Sequence, residues 1–279
     1  MDQASCHTHG YPKGEEAVRD LSPMDQMWHG DRWFLLKQLV IKDFRVRYRN
    51  MSLGIIWSLA NPLVMLAVYT FVFTYVFTNK IPNFAVFLMC GIVPFNFFST
   101  AWMIGTTSLL DNAGLVKRLA IPRELVPIAA VLSNCLHLFI QILLLLAITL
   151  AFGIHPNKYW FWLPLIWTLE IAFACGLVLA SSAMNVYIRD IRYVVESSCV
   201  ILFWLVPIFY PFSAIPERFK SLYQYNPVAA LVMAMREVIL EAHAPSSVLL
   251  IKLAAVACVS LGLGLAVFRQ LQRRFYDYL

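Results

Sequence analysis

Six long apolar runs constrain this sequence more than any other feature. A helix needs roughly 20 mostly apolar residues to cross a hydrocarbon core about 30 Å thick, and each run meets or approaches that length. The chain is 60% hydrophobic and only 14% charged, which lies outside the usual composition of soluble domains. We therefore predict an all-α integral membrane protein with six transmembrane helices. The predicted spans are about 53–77, 84–109, 126–152, 160–187, 195–212 and 248–268.

The positions of lysine and arginine predict the orientation, because cytoplasmic loops retain basic residues. With the N-terminus inside, fourteen basic residues of 31–279 fall on the cytoplasmic side of the predicted spans and five on the outer side. We therefore expect a cytoplasmic (inner) membrane protein with both termini in the cytoplasm. The first thirty residues are polar and lack the apolar core of a secretory signal. We expect a flexible tail at 1–30 and one membrane domain at 31–279.

Residues 31–51 form a predicted amphipathic helix at the membrane interface, ahead of the first span. At 100° per residue, apolar and polar side chains separate onto two faces. The apolar face holds Trp33, Leu36, Val40, Phe44 and Met51, and the polar face holds Gln38, Lys42, Arg45 and Arg49. The pattern fits a basic anchor on the membrane surface and a docking element for a cytoplasmic partner equally well.

Prolines predict interruptions at three places. Pro62 removes a backbone donor from the first span and should kink or locally open it. Pro122 interrupts the short charged loop 111–124, which has room for one amphipathic turn at the inner surface. The segment 213–247 has three prolines and a middle stretch, 228–240, that is apolar but too short to span. We predict a pair of short re-entrant, interfacial or gate helices there, on the outer side.

Catalytic groups are scarce, whereas an enzyme active in the membrane needs convergent acids, an activated nucleophile or metal ligands. Ser133 and His137 are four residues apart on the third span, and we interpret His137 as a buried histidine that bonds a neighbouring helix. Glu170 and Lys252 are the only charged residues well inside predicted spans. We expect each to lie close enough to a helix end to reach the interface or a partner. No catalytic residue is predicted.

We expect no cofactor or metal bound to this chain. Cys6, His7 and His9 lie in the polar tail, where such residues are more often incidental than ligands. The other five cysteines fall inside apolar spans without paired spacing and are interpreted as small core residues. The sequence contains no phosphate-binding loop of the form G-x-x-x-x-G-K-[ST], so ATP-driven transport would need a second polypeptide. The net charge of +6 is attributed to basic loops that face anionic lipid or partner surfaces, and no nucleic-acid binding is expected.

Small residues at four-residue spacing occur in two spans. Such spacing lets helices approach closely in lipid, so we predict packing faces within the bundle or across a dimer interface. The stripes are Ala172, Gly176 and Ala180 in the fourth span, and Ala254, Cys258, Gly262 and Ala266 in the sixth.

Four motifs, in order along the chain, resemble the permeases of ABC type-2 exporters that move O-antigen, capsule or teichoic acid polymers. KDFRVRYRNMSLGIIWSLANPL (42–63) resembles their entry into the first span, and LLDNAGLVKRLAIPRELVPIAAVLS (109–133), with its P-R-E-x-x-P core, resembles their first cytoplasmic loop. NVYIRDIRYV (185–194) resembles the second cytoplasmic loop, and FWLVPIFYPFSAIPERFKSLYQYNP (203–227) resembles the fifth span and outer gate. The similarity is greatest to the O-antigen branch.

The resemblance implies a homodimer of six-helix subunits, each bound to a cytoplasmic ABC ATPase subunit that carries ATP and magnesium. It implies a substrate of lipid-linked polysaccharide and a channel between the first and fifth spans of the two subunits. It also implies that the interfacial helix and the first cytoplasmic loop contact the ATPase, which favours the docking role. The residues expected to couple are Lys42, Arg45, Arg49, Lys117, Arg118, Pro122, Arg123, Glu124, Arg189 and Asp190.

Aromatic rings are the predicted lining of the channel, since flat non-ionic surfaces bind the C–H faces of sugars weakly and repeatedly. The alternative is that these rings fill the core or form the aromatic belt at the membrane interface. The candidates are Trp57, Tyr69, Phe95, Phe98, Trp102, Phe203, Trp204 and Tyr210.

Two other functions compete with polysaccharide export. An exporter of a drug or small lipid from the same superfamily would share the topology, although the P-R-E and R-D loops favour polymer export. A membrane-embedded glycosyl or phosphoglycosyl transferase would need clustered acids at the inner face, and the sequence shows none there.

Overall fold

The computed structural model describes residues 32–48, 56–76, 81–118 and 121–277, and within these ranges every regular element is helical. The coupling residue Arg49 lies outside them, and the side chains of Trp57 and Arg118 are not described. The α-helices are α1 (Arg32–Tyr48), α2 (Ile56–Phe71), α3 (Phe84–Asp111), α4 (Ala113–Arg118), α5 (Leu125–Ala151), α6 (Leu163–Tyr187), α7 (Ile191–Leu205), α8 (Glu217–Tyr225), α9 (Pro227–Ile239) and α10 (Ser247–Leu271).

Four of the described helices are long and apolar enough to cross a membrane, namely α3, α5, α10 and α6 together with the 3-10 turn Lys158–Trp162 that precedes it. They coincide with four of the six predicted spans. The first predicted span contains α2, which continues through Pro62 and ends in the π-helical turn Val72–Val76. The fifth contains α7, whose 15 residues extend about 22 Å at 1.5 Å per residue. The count of six spans therefore stays a prediction.

Helix α7 ends earlier than the predicted fifth span because of Pro207. A residue that precedes proline is disfavoured in the α conformation, and Val206 accordingly adopts φ −75° and ψ 135°. The chain then runs without regular structure until the 3-10 turn Phe212–Ala214. Thus the stretch predicted as one fifth span is a helix followed by a break.

The core is built around α3, which is buried along most of its length and packs against α5, α6, α7 and α9. Helices α6 and α10 form the closest helix pair. A Cβ atom added to Gly264 would lie 2.1 Å from the carbonyl oxygen of Gly176, so the two backbones touch. The Ser260 hydroxyl also donates to the Phe173 carbonyl at 3.2 Å. The predicted packing role of Gly176 is confirmed.

The small-residue stripe predicted for the sixth span does not pack within the chain. Cys258 and Gly262 are exposed, whereas Leu253, Ala257 and Gly264 are buried. Both sets recur at helical spacing around the same helix, and spacing alone cannot decide which one faces α6. Packing within the bundle is therefore wrong for this stripe, and a role across a dimer interface stays a prediction.

Two short helices, α8 and α9, occupy the segment for which a short pair was predicted. Asn226 caps α9: its side-chain oxygen accepts from the backbone N–H of Val228 at 3.1 Å, and Pro227 starts the helix. Helix α9 is largely buried against α3, α6 and α10. Its position on the outer side of a membrane stays a prediction.

Candidate coupling and transport site

Six elements meet in one apolar cluster at the end of the bundle that we call the basic end. Helices α1 and α4, the start of α5 and the ends of α3, α6 and α10 all contribute. The buried members include Leu39, Leu109, Val116, Ile121, Val126, Ala183, Phe268 and Phe275. Two of the three segments predicted to couple, the interfacial helix and the first cytoplasmic loop, share this cluster, and the third follows the end of α6.

Helix α1 packs onto its own chain at the basic end. Leu39 is 6% exposed and contacts α5 and the neighbouring apolar residues together with Leu36 and Val40, whereas Trp33 is 72% exposed. The predicted apolar face, which included Trp33 and omitted Leu39, is therefore partly wrong. The packed face is rotated because α1 buries apolar surface against α5.

Lys42 joins α1 to the end of α3. Its ammonium donates to the side-chain oxygen of Asn112 and lies 3.1 Å from the Asp43 carboxylate. Asn112 in turn donates from its side-chain amide to the Ser108 carbonyl at 2.8 Å, at the C-terminus of α3. Lys42 thus links α1 to the residue that ends α3. Arg45, the next coupling residue on α1, is exposed.

Arg123, in the segment predicted to be the first cytoplasmic loop, joins the start of α5 to the C-terminus of α10. Its guanidinium donates to the Gln272 carbonyl at 2.7 Å and lies 5.9 Å from the centre of the Phe275 ring. A cation is favoured at a helix C-terminus, where carbonyl groups lack helical partners. Pro122 and Glu124 on either side are half-buried, while Lys117 is exposed. Arg123 therefore acts inside the chain, and Lys117 remains exposed to a partner.

A short loop joins α6 to α7 at the same end, in the segment predicted to be the second cytoplasmic loop. Arg189 and Asp190 are both exposed, and the Asp190 carbonyl accepts the first backbone bonds of α7 from Tyr193 and Val194. Just before them, the Tyr187 hydroxyl donates to the Leu271 carbonyl of α10 at 2.6 Å.

Sequence reasoning missed the partners in these links. Asn112, Gln272 and Leu271 accept the hydrogen bonds that hold α1, the first loop and α6 in place. Each lies 70 or more positions along the chain from its donor. A helix-ending asparagine after Asp111 is visible in the sequence, but its pairing with Lys42 depends on the tertiary fold.

The predicted channel rings divide into buried and exposed groups. Phe95 and Phe98 are 5% and 1% exposed, and Phe98 stacks on Phe173 with ring centres 5.6 Å apart. They pack in the core of the chain, which is the alternative left open by the sequence. Trp102 is half-buried beside Phe98.

The other described rings lie around the end of α7. Tyr69 and Phe203 are half-buried, with centres 6.4 Å apart, and both contact Phe209. Trp204 is 64% exposed, and the half-buried Tyr210 donates to the carbonyl of that tryptophan at 3.2 Å. These four candidates, Tyr69, Phe203, Trp204 and Tyr210, present aromatic surface at one place.

The polar residues inside the spans do not form a catalytic site. Ser133 donates to the Ala130 carbonyl at 2.9 Å, and a ring nitrogen of His137 lies 2.9 Å from the Gln141 amide on the same helix. Glu170 is fully buried, and neither carboxyl oxygen has a hydrogen-bond partner among the residues that the structure describes. The expectation that Glu170 reaches the interface is therefore wrong. The turn Lys158–Trp162 and α9 cover this part of α6.

Sequence comparison identifies the class of protein to which this helical bundle belongs. The model of the ABC-2 type transporter family matches residues 35–240, and the chain belongs to that family of membrane proteins.

Three relatives are informative. The O-antigen export system permease protein RfbA of Klebsiella pneumoniae is 31% identical over 249 residues, which cover 88% of this chain and 95% of the relative. The protein of the same name from Myxococcus xanthus is 29% identical, covering 87% and 94%. The polysialic acid transport protein KpsM of Escherichia coli is 26% identical, covering 84% and 92%. The similarity thus extends over nearly the full length of known transport subunits.

Proposed function

We propose that this chain is the membrane permease subunit of an ATP-driven exporter that moves a lipid-linked, O-antigen-like polysaccharide across the cytoplasmic membrane. The observation that carries the proposal is the end-to-end similarity to two permeases named for O-antigen export and one transporter named for polysialic acid. All three are named as transport proteins, and the scarcity of catalytic groups agrees with a subunit that is not itself an enzyme.

The working unit in this proposal is a homodimer with six spans per subunit, both termini in the cytoplasm, and two separate ATPase subunits. The sequence has no phosphate-binding loop, so ATP and magnesium belong to the partner. The exposed Arg45, Lys117 and Arg189 give the basic end a surface suited to an acidic partner.

Coupling in this proposal uses the links behind that surface. A partner that pushes α1 acts on α3 through Lys42 and Asn112, and one that pushes the first loop acts on α10 through Arg123 and Gln272. Both receiving helices extend from the basic end to the opposite end of the bundle. Local motion of an ATPase would therefore displace the far end, where the exposed rings lie.

The sugar track in this proposal is formed by Tyr69, Phe203, Trp204 and Tyr210, with Trp57 as a further candidate. Rings that are exposed in one subunit are available to a passing polymer, whereas Phe95 and Phe98 are enclosed. Contacts between C–H groups and rings are weak and carry no net charge, which suits a chain that has to slide.

The function is tested by deleting the gene and restoring it on a plasmid, with surface polysaccharide and cytoplasmic lipid-linked polymer measured together. We expect the deletion to remove surface polymer and accumulate lipid-linked polymer inside, and complementation to reverse both. Normal surface polymer with altered drug susceptibility or lipid composition would instead favour a small-molecule exporter. Failure to synthesise any polymer would favour a transferase.

The topology is tested by single cysteines in a variant that lacks its own. We expect an impermeant thiol reagent, added from outside, to label a cysteine beside Lys220 but not one beside Lys117. The opposite pattern would overturn the orientation and, with it, the assignment of the basic end to the ATPase.

A further inference from the structure

The break after α7 places irregular backbone among apolar residues. Val206 and Ile208 are 0% exposed and Phe209 is 4% exposed, although none of them is helical. In a membrane, backbone groups that leave a helix have no water to bond, so each requires a partner within the protein. Which groups satisfy the carbonyls at this break determines whether the break is stable.

Two side chains provide those partners. The Tyr210 hydroxyl lies 3.2 Å from the Trp204 carbonyl and 3.4 Å from the Leu205 carbonyl, at the C-terminus of α7. The Arg236 guanidinium, which comes from α9, donates to the Ile208 carbonyl at 2.8 Å and to the Phe87 carbonyl of α3 at 3.3 Å. Arg236 therefore ties the break to both α3 and α9.

Burying the charged side chain of Arg236 at the break is unfavourable in free energy. It is 6% exposed, and no carboxylate in the described ranges forms an ion pair with it. Its Nε atom has no hydrogen-bond partner among those residues, and its guanidinium lies 3.4 Å from the centre of the Phe87 ring. An apolar side chain of the same size would avoid the desolvation of a charge. Such a side chain could not replace the bonds to the Ile208 and Phe87 carbonyls or the contact of the charge with the Phe87 ring, and of these only the bond to Ile208 reaches the break.

The break is also pressed directly against α3. A Cβ atom added to Gly91 would lie 3.1 Å from Cγ2 of Ile208 and 3.2 Å from its Cα, so glycine permits this contact. The next residue, Phe209, stacks on Phe73 with ring centres 5.0 Å apart and meets the Tyr69 ring edge-on at 4.9 Å. The position of Ile208 thus sets the arrangement of the rings around it.

We propose that Arg236 is a positioning residue for transport. It holds the break at 206–211 against α3 and so keeps the surrounding aromatic rings in their positions. The inference rests on the proposed function for its consequence in export, but its structural part concerns this chain alone. When Arg236 loses its donors, the Ile208 carbonyl is left unpaired in apolar surroundings, and the break separates from α3.

The experiment measures how fast a thiol at the break reacts. Val206→Cys changes little volume at a fully buried position, and it is introduced into full-length protein in which the six native cysteines are alanine. Reaction with N-ethylmaleimide is followed in isolated membranes. Three proteins are compared: one that keeps Arg236, one with Arg236→Met and one with Arg236→Lys. The matched control is Arg218→Met, since the Arg218 guanidinium also lies over a phenylalanine ring, at 4.5 Å, but is exposed.

We expect Arg236→Met to raise the labelling rate at residue 206 by about tenfold or more, as loss of a charged hydrogen bond in an apolar site predicts. Arg236→Lys, which keeps the charge and some donors, should give a smaller increase, and Arg218→Met none. Unchanged labelling in Arg236→Met protein of normal thermal stability overturns the proposal. If Arg236→Met protein does not accumulate, the Arg236→Lys variant is used instead. The proposal is overturned if that variant is labelled at the same rate as protein that keeps Arg236.

Export is measured in parallel with the same variants. Arg236→Met should lower export per folded permease, and Arg236→Lys should restore part of it. Labelling that responds as expected while the unsubstituted protein exports no polymer would refute the proposed function and leave the structural role of Arg236 intact. Normal export by Arg236→Met despite faster labelling overturns the transport role.

Discussion

The basic end and the break after α7 are both held by side-chain hydrogen bonds, but the surroundings of these bonds differ. At the basic end, Lys42, Arg123 and Tyr187 donate to oxygens near helix ends in half-exposed positions. At the break, Arg236 donates to carbonyls from a buried position. Water can replace a partner lost at the basic end, whereas it cannot at the break. The hydrogen bonds at the basic end can thus exchange with water, whereas those at the break cannot.

Gly264→Ala should have the largest effect, because Gly264 lies where α6 and α10 touch and so supports both ends. The added Cβ would lie 2.1 Å from a backbone oxygen, and neither backbone can give way without separating the helices. We expect loss of most folded protein from the membrane, measured by abundance and by thermal unfolding in detergent.

Gly262→Ala is the matched control, on the same helix two residues earlier. Nothing lies within 4 Å of a Cβ added there, so abundance and unfolding temperature should not fall. Equal losses in both variants would show that contacts of α10 with lipid or with a second subunit, rather than the contact with Gly176, are responsible.

Phe98→Ala and Trp204→Ala should separate core rings from track rings. Phe98 is enclosed and stacked, so truncation should cost about 3 to 5 kcal/mol of unfolding free energy. Trp204 is largely exposed, so its variant should keep its abundance but export less polymer. Export per folded permease is the deciding measurement, and a Trp204→Ala variant that matches the unsubstituted protein in that ratio removes the ring from the track.

Arg236→Met and Arg123→Met compare the two ends directly. We expect a loss of about 3 kcal/mol in unfolding free energy for Arg236→Met and about 1 kcal/mol for Arg123→Met, since only the first leaves a buried carbonyl unpaired. Arg123→Met should instead lower polymer exported per ATP hydrolysed, because it frees the first loop from α10. Similar losses of stability in the two variants would contradict the contrast drawn from solvent access.

The smallest predicted effect concerns pH at the loop between α9 and α10. The Ala244 carbonyl, and then Glu241, raise the pKa of the exposed His243 above its ordinary value of 6.5. The stabilisation from charged His243 is therefore complete below about pH 6.5 and is lost as the pH rises through the raised pKa. Hydrogen exchange across 240–246 should be slower at pH 5.5 than at pH 8 after correction for intrinsic rates, and His243→Gln should abolish the difference.

Length and hydropathy were sufficient to predict α3, α5, α6 and α10, because each is an apolar run of about 25 residues, and α3 continues as a helix through Pro94. They failed at α7, where Pro207 ends the helix inside a run that stays apolar. The packed face of α10 was also missed, since the exposed small residues and the buried set that includes Leu253 recur with the same period. Composition indicates whether a helix lies in lipid or in water, but it does not show which face packs against a neighbouring helix.

The candidate site was predictable in its segments and not in its connections. The P-R-E loop, containing Arg123, was selected by resemblance, and the structure shows Arg123 bonded to Gln272. Arg236 was counted only as a basic residue outside the spans, because its burial depends on the packing of α9 against α3. Residue type identifies a candidate, and tertiary contacts determine its role.

The contact between Gly176 and Gly264 leaves no room for a side chain between α6 and α10, so the two helices are expected to move together. Helix α10 has 25 residues and is about 37 Å long, and its C-terminal end is held by the first loop through Arg123. A tilt of about 5° applied at that end would carry the other end through roughly 3 Å, comparable to the length of a hydrogen bond. Leverage of this kind would let a small rotation at the basic end rearrange contacts at the opposite end of the bundle, without bending any helix.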